Sequence, residues 1–147
     1  MDASPYKIAL IEDAESDVLL IREALEQAGL AFELHVMSDG EEALEFVAKI
    51  DGDETISLPR LMILDLNLPK VSGGKVLERV RQSSRFGSVP VLVLTSSDSP
   101  KDKAEVARLG ATKYFRKSSR LAEFMNLGVE IRNLLERGDY CSKASAQ

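Results

Sequence analysis

Three apolar runs in this sequence each end in side chains able to do chemistry. Leu61-Met62-Ile63-Leu64 ends in Asp65 and is followed by Leu66-Asn67-Leu68-Pro69. Lys7-Ile8-Ala9-Leu10-Ile11 ends in the acidic pair Glu12-Asp13, and Val89-Pro90-Val91-Leu92-Val93-Leu94 ends in Thr95-Ser96-Ser97. Short apolar runs bounded by turn residues read as buried strands. Pro69, which lacks a backbone donor, stops the Asp65 strand. In open α/β sheets, ligands bind outside the carboxyl ends of the strands. A single sheet built from these runs delivers two acidic clusters and a hydroxyl cluster to one edge. Glu12, Asp13 and Asp65 would then crowd three carboxylates together. At an effective dielectric of about 20, a pair about 4 Å apart costs on the order of 4 kcal/mol. A divalent cation removes that cost, and hard oxygen ligands with open positions suit Mg²⁺.

The intervening segments read as amphipathic helices, so strands and helices alternate as in βαβ units with a parallel sheet. Val18, Ile21, Leu25 and Ala28 recur at helical spacing between Ser16 and Ala28, with Gly29 as the stop. Phe32 to Met37 is a short strand, and Asp39-Gly40-Glu41-Glu42 resembles a capping box opening a helix through Lys49. Gly73 to Arg81 is helical, and Pro100 opens a helix ending near Leu109. Lys113 to Lys117 is a fifth strand. The last helix carries Leu121, Phe124, Met125, Gly128, Ile131 and Leu135 on one stripe. The sum is an α/β fold, a (βα)5 doubly wound sandwich in one domain over residues 1–137, with 138–147 expected to be a disordered polar tail.

A chain of 147 residues builds one core without staples. Its net charge of -5 argues against nonspecific nucleic-acid binding and against an anionic membrane surface. No apolar stretch approaches the roughly 20 residues of a membrane span, and Met1 to Pro5 is no signal peptide. The single cysteine, Cys141, has no partner within the chain. A cytoplasmic setting is therefore the expectation. His35, the one histidine, is expected to be structural, since no triad or zinc cluster can be built from it alone.

The ordered set Glu12-Asp13, Asp65, Thr95 and Lys117 resembles the receiver domain of bacterial two-component response regulators, over about Lys7 to Leu135. The motifs are Leu-Ile-Glu-Asp, Leu-Asp-Leu-Asn-Leu-Pro, Val-Leu-Thr-Ser-Ser and Gly-Ala-Thr-Lys-Tyr-Phe-Arg-Lys. Each is modest alone; in order, on strand ends, they are specific. The segment Asp17 to Leu25 and the Leu-Asp-Leu-Asn-Leu-Pro run are similar to the single-domain regulators that serve bacterial phytochromes. The resemblance implies a flavodoxin-like sheet of order 2-1-3-4-5. It implies that Asp65 takes a phosphoryl group from a phosphohistidine of a sensor kinase. It also implies that Asp13 and Asp65 bind Mg²⁺ directly, Glu12 through water, and Asn67 through its backbone carbonyl. Lys117 would hold a phosphoryl oxygen, Thr95 would donate its hydroxyl to another, and Tyr114 would be the aromatic that turns as Thr95 moves. Output would pass by protein contact near Tyr114 and the last helix, to an effector or a second copy.

Taken singly, Asp13 is a helix-start carboxylate, Thr95 a strand-end hydroxyl, Lys117 a solvated lysine and Tyr114 a core aromatic. Lys70, Lys101 and Lys103 read as solubilising charges. One departure from the family stands out: Ser118-Ser119 follow Lys117, where the family usually has proline, so a trans loop is expected there. A small Mg²⁺-dependent phosphohydrolase of the haloacid-dehalogenase type is a rival, but it needs an aspartate where Asn67 stands. A receiver-like module that binds partners without phosphorylation is the other.

Overall fold

The computed structural model describes residues 4–145, with side chains placed through residue 137. The elements run in the order β1 (Tyr6–Ile11), α1 (Glu15–Gln27), β2 (Phe32–Met37), α2 (Gly40–Gly52) and β3 (Leu61–Asp65). Then come α3 (Gly73–Gln82), β4 (Val91–Thr95), α4 (Pro100–Arg108), β5 (Lys113–Arg116) and α5 (Leu121–Ser145). The strands form one parallel sheet in the order β2-β1-β3-β4-β5. The expected α/β sandwich and its strand order are both present.

Side-chain alternation sorts the sheet's two faces. Ala9, Ile11, Met62, Leu64, Val91 and Val93 face one core, completed by α2, α3 and Val106 of α4. Ile8, Leu10, Leu61, Ile63, Leu92 and Leu94 face the other, completed by Ile21, Ala24 and Leu25 of α1 and Phe124, Leu127 and Ile131 of α5. β3 and β4, covered on both faces, are buried at every residue, as their unbroken apolar runs require. His35, on the edge strand, stacks on Phe46 at 4.9 Å between ring centroids.

Several boundaries differ from the sequence reading for local reasons. β4 begins at Val91 rather than Val89, because Pro90 has no N–H for the ladder. β5 ends at Arg116, and Lys117 leaves the ladder with its N–H donated to the Thr95 carbonyl at 2.7 Å. Asp39 caps α2 by accepting from the Glu42 N–H at 2.8 Å; the Glu42 carboxylate accepts from the Ser38 N–H at 2.7 Å, so the box closes one residue earlier than a standard one. α5 continues past Arg137 to Ser145. The expectation of a disordered tail and the Cys141 side chain lie outside the described side chains.

Two glycines set how α1 ends and how it meets α5. Gly29 (φ 78°) ends α1 in the left-handed region that a glycine adopts without cost. Gly128 lets α5 lie directly on α1: a Cβ built there would overlap the Ala24 carbonyl oxygen. Gly128→Ala is therefore expected to destabilise the fold by about 2–3 kcal/mol, since neither helix backbone can yield locally. A urea unfolding curve checks this; a change within error of wild type would mean that the two helices slide apart freely.

Candidate functional site at the carboxyl edge of the sheet

The register aligns the chemistry-bearing strand ends. Ile11 pairs with Leu64, Asp65 with Leu94, and Thr95 with Arg116. Asp65 and Thr95 thus end their strands, and Glu12 and Lys117 follow directly on theirs, so the four sit at the carboxyl ends of adjacent strands in the order the sheet dictates. Glu12 and Asp65 are 2% and 5% exposed, and Thr95 is fully buried. Asp13 and Asn67 are exposed at the rim. One carboxylate oxygen each from Glu12, Asp13 and Asp65 lie within 4.8 Å of one another.

The Lys117 ammonium reaches into this cluster. It donates to Asp17 Oδ2 at 2.7 Å, to Glu12 Oε1 at 2.8 Å and to Asp65 Oδ2 at 3.0 Å. The other oxygens are held by backbone: the Asn67 N–H donates to Asp65 Oδ1 at 2.9 Å, and the Ala14 N–H to Glu12 Oε2 at 3.2 Å. Gly73 at the start of α3 keeps the Asp65 turn tight, because a Cβ there would overlap the Asp65 carbonyl oxygen. The Lys117–Ser118 bond is trans, like every peptide bond among the described residues. Ser118 donates its hydroxyl to Glu123 at 2.5 Å and accepts from the Arg120 N–H at 3.1 Å, which fixes the loop without a proline.

Thr95 connects the cluster to the neighbouring surface. Its Oγ1 accepts from the Ser97 N–H at 3.2 Å, and the Tyr114 hydroxyl donates to the Ser97 carbonyl at 2.6 Å. Lys103, read from sequence as merely solubilising, lies over the Tyr114 ring at 5.6 Å and pairs with Asp98 at 3.2 Å. Asp17 is the site contact that sequence reasoning misses. In the sequence it figures only as the start of the Asp17 to Leu25 segment, although an acid in the first helical turn shortly after Glu12-Asp13 is the signal that points back to the same edge.

The donor set fits a hard divalent cation: it is all oxygen, it converges, and exposed Asp13 leaves the outer side open. Without a cation, Lys117 supplies the compensating charge. Burial alone would lower its pKa, but the hydrogen bonds to Asp17, Glu12 and Asp65 outweigh burial and hold it above the ordinary lysine value. Burial pushes Glu12 from the usual 4.5 up to about 7; the Lys117 hydrogen bond opposes this, and the Asp65 charge adds to it. A carboxyl whose pKa is raised by folding stabilises the protein fully below its unfolded value and loses that contribution as pH rises through the folded one. Metal-free protein is therefore expected to lose on the order of 3 kcal/mol between about pH 5 and pH 8. Urea midpoints in EDTA across this window check the slope, which Glu12→Gln should flatten; an equally steep fall in that variant would assign the proton elsewhere.

The chain matches the family model described as response regulator receiver domain over residues 8–127. The response regulator Rcp1 of a Synechocystis strain is 34% identical over 128 residues, covering 86% of this chain and 87% of Rcp1. The solved Mn²⁺-bound form of Rcp1 superposes with a TM-score of 0.76 at 33% identity, covering 86% of this chain and 91% of that one. The phosphorylated cyanobacterial phytochrome response regulator RcpA gives a TM-score of 0.80 at 31% identity, covering 90% and 94%. The probable methanogenesis regulatory protein FilR2 of Methanothrix harundinacea is 40% identical over 98 residues, 67% of this chain. The chain spans only 63% of FilR2 and about half of the longer transcriptional regulators it matches. No helix among the described residues is long and apolar enough to cross a membrane. With this match, this sheet order and this acidic edge, the chain belongs to the response regulator receiver family, a signalling module of two-component systems.

Proposed function

We propose that this domain accepts a phosphoryl group on Asp65 from a phosphohistidine of a sensor kinase, with Mg²⁺ at the acidic cluster. The observation that carries the reading is the meeting of Asp65, Glu12, Asp13 and the Lys117 ammonium at one sheet edge. Asp13 and Asp65 would hold the metal directly, Glu12 through water and Asn67 through its carbonyl. When bound, Mg²⁺ offsets the charge of the carboxylates and of the incoming phosphoryl oxygens.

The residues divide the remaining work. An Asp65 carboxylate oxygen attacks the phosphorus in line, the P–N bond to the kinase histidine breaks, and the electron pair stays on the imidazole, which takes up a proton. The domain thereby catalyses its own modification and is not a turnover enzyme. Lys117 holds a phosphoryl oxygen as a compact point charge. Thr95 gives its hydroxyl to another. Its movement acts on Ser97, whose N–H it holds and whose carbonyl holds Tyr114, so the ring turns and the surface of α4, β5 and α5 changes. Output is protein contact on that face, with an effector or a second copy. RcpA, a cyanobacterial phytochrome response regulator, supports a phytochrome-type kinase as partner, and the phosphorylated form of RcpA and the Mn²⁺-bound form of Rcp1 support the same chemistry here. Against a phosphorylation-independent module stands Lys117, which reaches Asp65 from a trans loop. Against a phosphohydrolase stands Asn67, which offers no acid two residues after Asp65.

Intact mass after incubation with acetyl phosphate and Mg²⁺ tests the reading. One phosphoryl group is expected on wild type, and none on Asp65→Asn or in EDTA. Labelling of the variant would move the acceptor elsewhere. Calorimetry on Asp13→Ala should show Mg²⁺ affinity reduced by about tenfold or more, and unchanged affinity would remove Asp13 from the ligand set.

A further inference from the structure

We propose that Asp17 is a positioning residue for phosphoryl capture: it anchors the Lys117 ammonium from outside the acidic cluster, keeping that charge over Asp65. This role rests on the reading of Asp65 as phosphoacceptor. An ammonium has three N–H donors, and here Asp17, Glu12 and Asp65 each accept one. Glu12 and Asp65 belong to the cluster that a divalent cation or a phosphoryl group will claim. Asp17 does not; it stands in the first turn of α1, its side chain 25% exposed against 1% for Glu12 and 6% for Asp65. Its contact, at 2.7 Å, is also the shortest of the three. When the cluster takes other partners, Asp17 remains as the acceptor that keeps Lys117 in place.

The loop itself creates the need for such an anchor. The backbone is fixed at Lys117 by its N–H to the Thr95 carbonyl, and one residue later by the Ser118 hydroxyl on Glu123. Neither bond restrains the flexible four-carbon stem that carries the charge. Asp17 itself is well held: α1 is packed on α5 at Gly128, and Arg132 donates to the Ala28 carbonyl at 3.1 Å at the far end of the same helix.

The test uses metal-free protein first. In ¹⁵N spectra of the lysine ammonium groups, Lys117 should give a slowly exchanging signal, identified by its loss in Lys117→Arg. Asp17→Asn should remain folded by urea unfolding yet lose that signal, and Asp17→Glu should restore it. With acetyl phosphate and Mg²⁺, Asp17→Asn should acquire label about tenfold more slowly, again with recovery in Asp17→Glu. An unchanged Lys117 signal or wild-type labelling rate in Asp17→Asn would overturn the proposal. If wild type itself takes no label, the phosphoacceptor reading fails separately. The metal-free spectra then still decide whether Asp17 holds Lys117.

Discussion

One half-buried cation surrounded by carboxylates organises this molecule. Strand ends β1 and β3 bring Glu12 and Asp65 together in a site almost closed to water, where like charges are costly. Lys117 offsets that repulsion from across the sheet, more than fifty residues from Asp65 in sequence. To do so it must leave β5 at Arg116, and the loop behind it must be held. The Thr95 carbonyl and Ser118 hold that loop. The charge that stabilises the resting site is also the one that a phosphoryl group on Asp65 would use, so stability and readiness share one interaction. Under the proposed function, the site would exchange partners around a fixed ammonium rather than be built anew.

Much of this was legible in the sequence, because it depends on patterns that neighbouring residues impose. Runs such as Met62-Ile63-Leu64 and Val91-Leu92-Val93, short and bounded by proline and turn residues, read as strands covered on both faces, which puts the residues that follow them at the carboxyl edge. The period of Ile21, Leu25 and Ala28 fixes the inward face of α1. Asp17 was not legible in the same way. It lies on the shoulder of that face, and whether it points to Lys117 depends on how α1 leans on α5. That tilt is set by the contact of Gly128 with Ala24, which no local period reveals. Lys103 escaped for the same reason, since its place over Tyr114 comes from the packing of α4 and not from its neighbours in sequence.

The serine that replaces the family's usual proline now has a physical account. The trans loop expected from the sequence is present, and it still brings Lys117 to Asp65, with Ser118 turning its hydroxyl to Glu123 at the start of α5. A side-chain hydrogen bond does the work of a ring constraint, and it ties the lysine loop directly to α5. Tyr114, by contrast, is tied to the loop after β4 through Ser97. The two flanks of the surface near β5 are thus connected to the acidic edge by separate hydrogen bonds, one through Lys117 and one through Thr95.

The measurement that bears most directly on this arrangement is an amide NMR titration of wild type with Mg²⁺, followed by beryllofluoride. Mg²⁺ should shift the signals of Glu12, Asp13, Asp65, Asn67 and Lys117 while leaving the far end of the sheet unmoved. Beryllofluoride should then extend the shifts to Thr95, Ser97 and Tyr114. Mg²⁺-induced shifts that leave these five residues untouched, or a beryllofluoride response that never reaches Thr95, would contradict a site built around the shared ammonium.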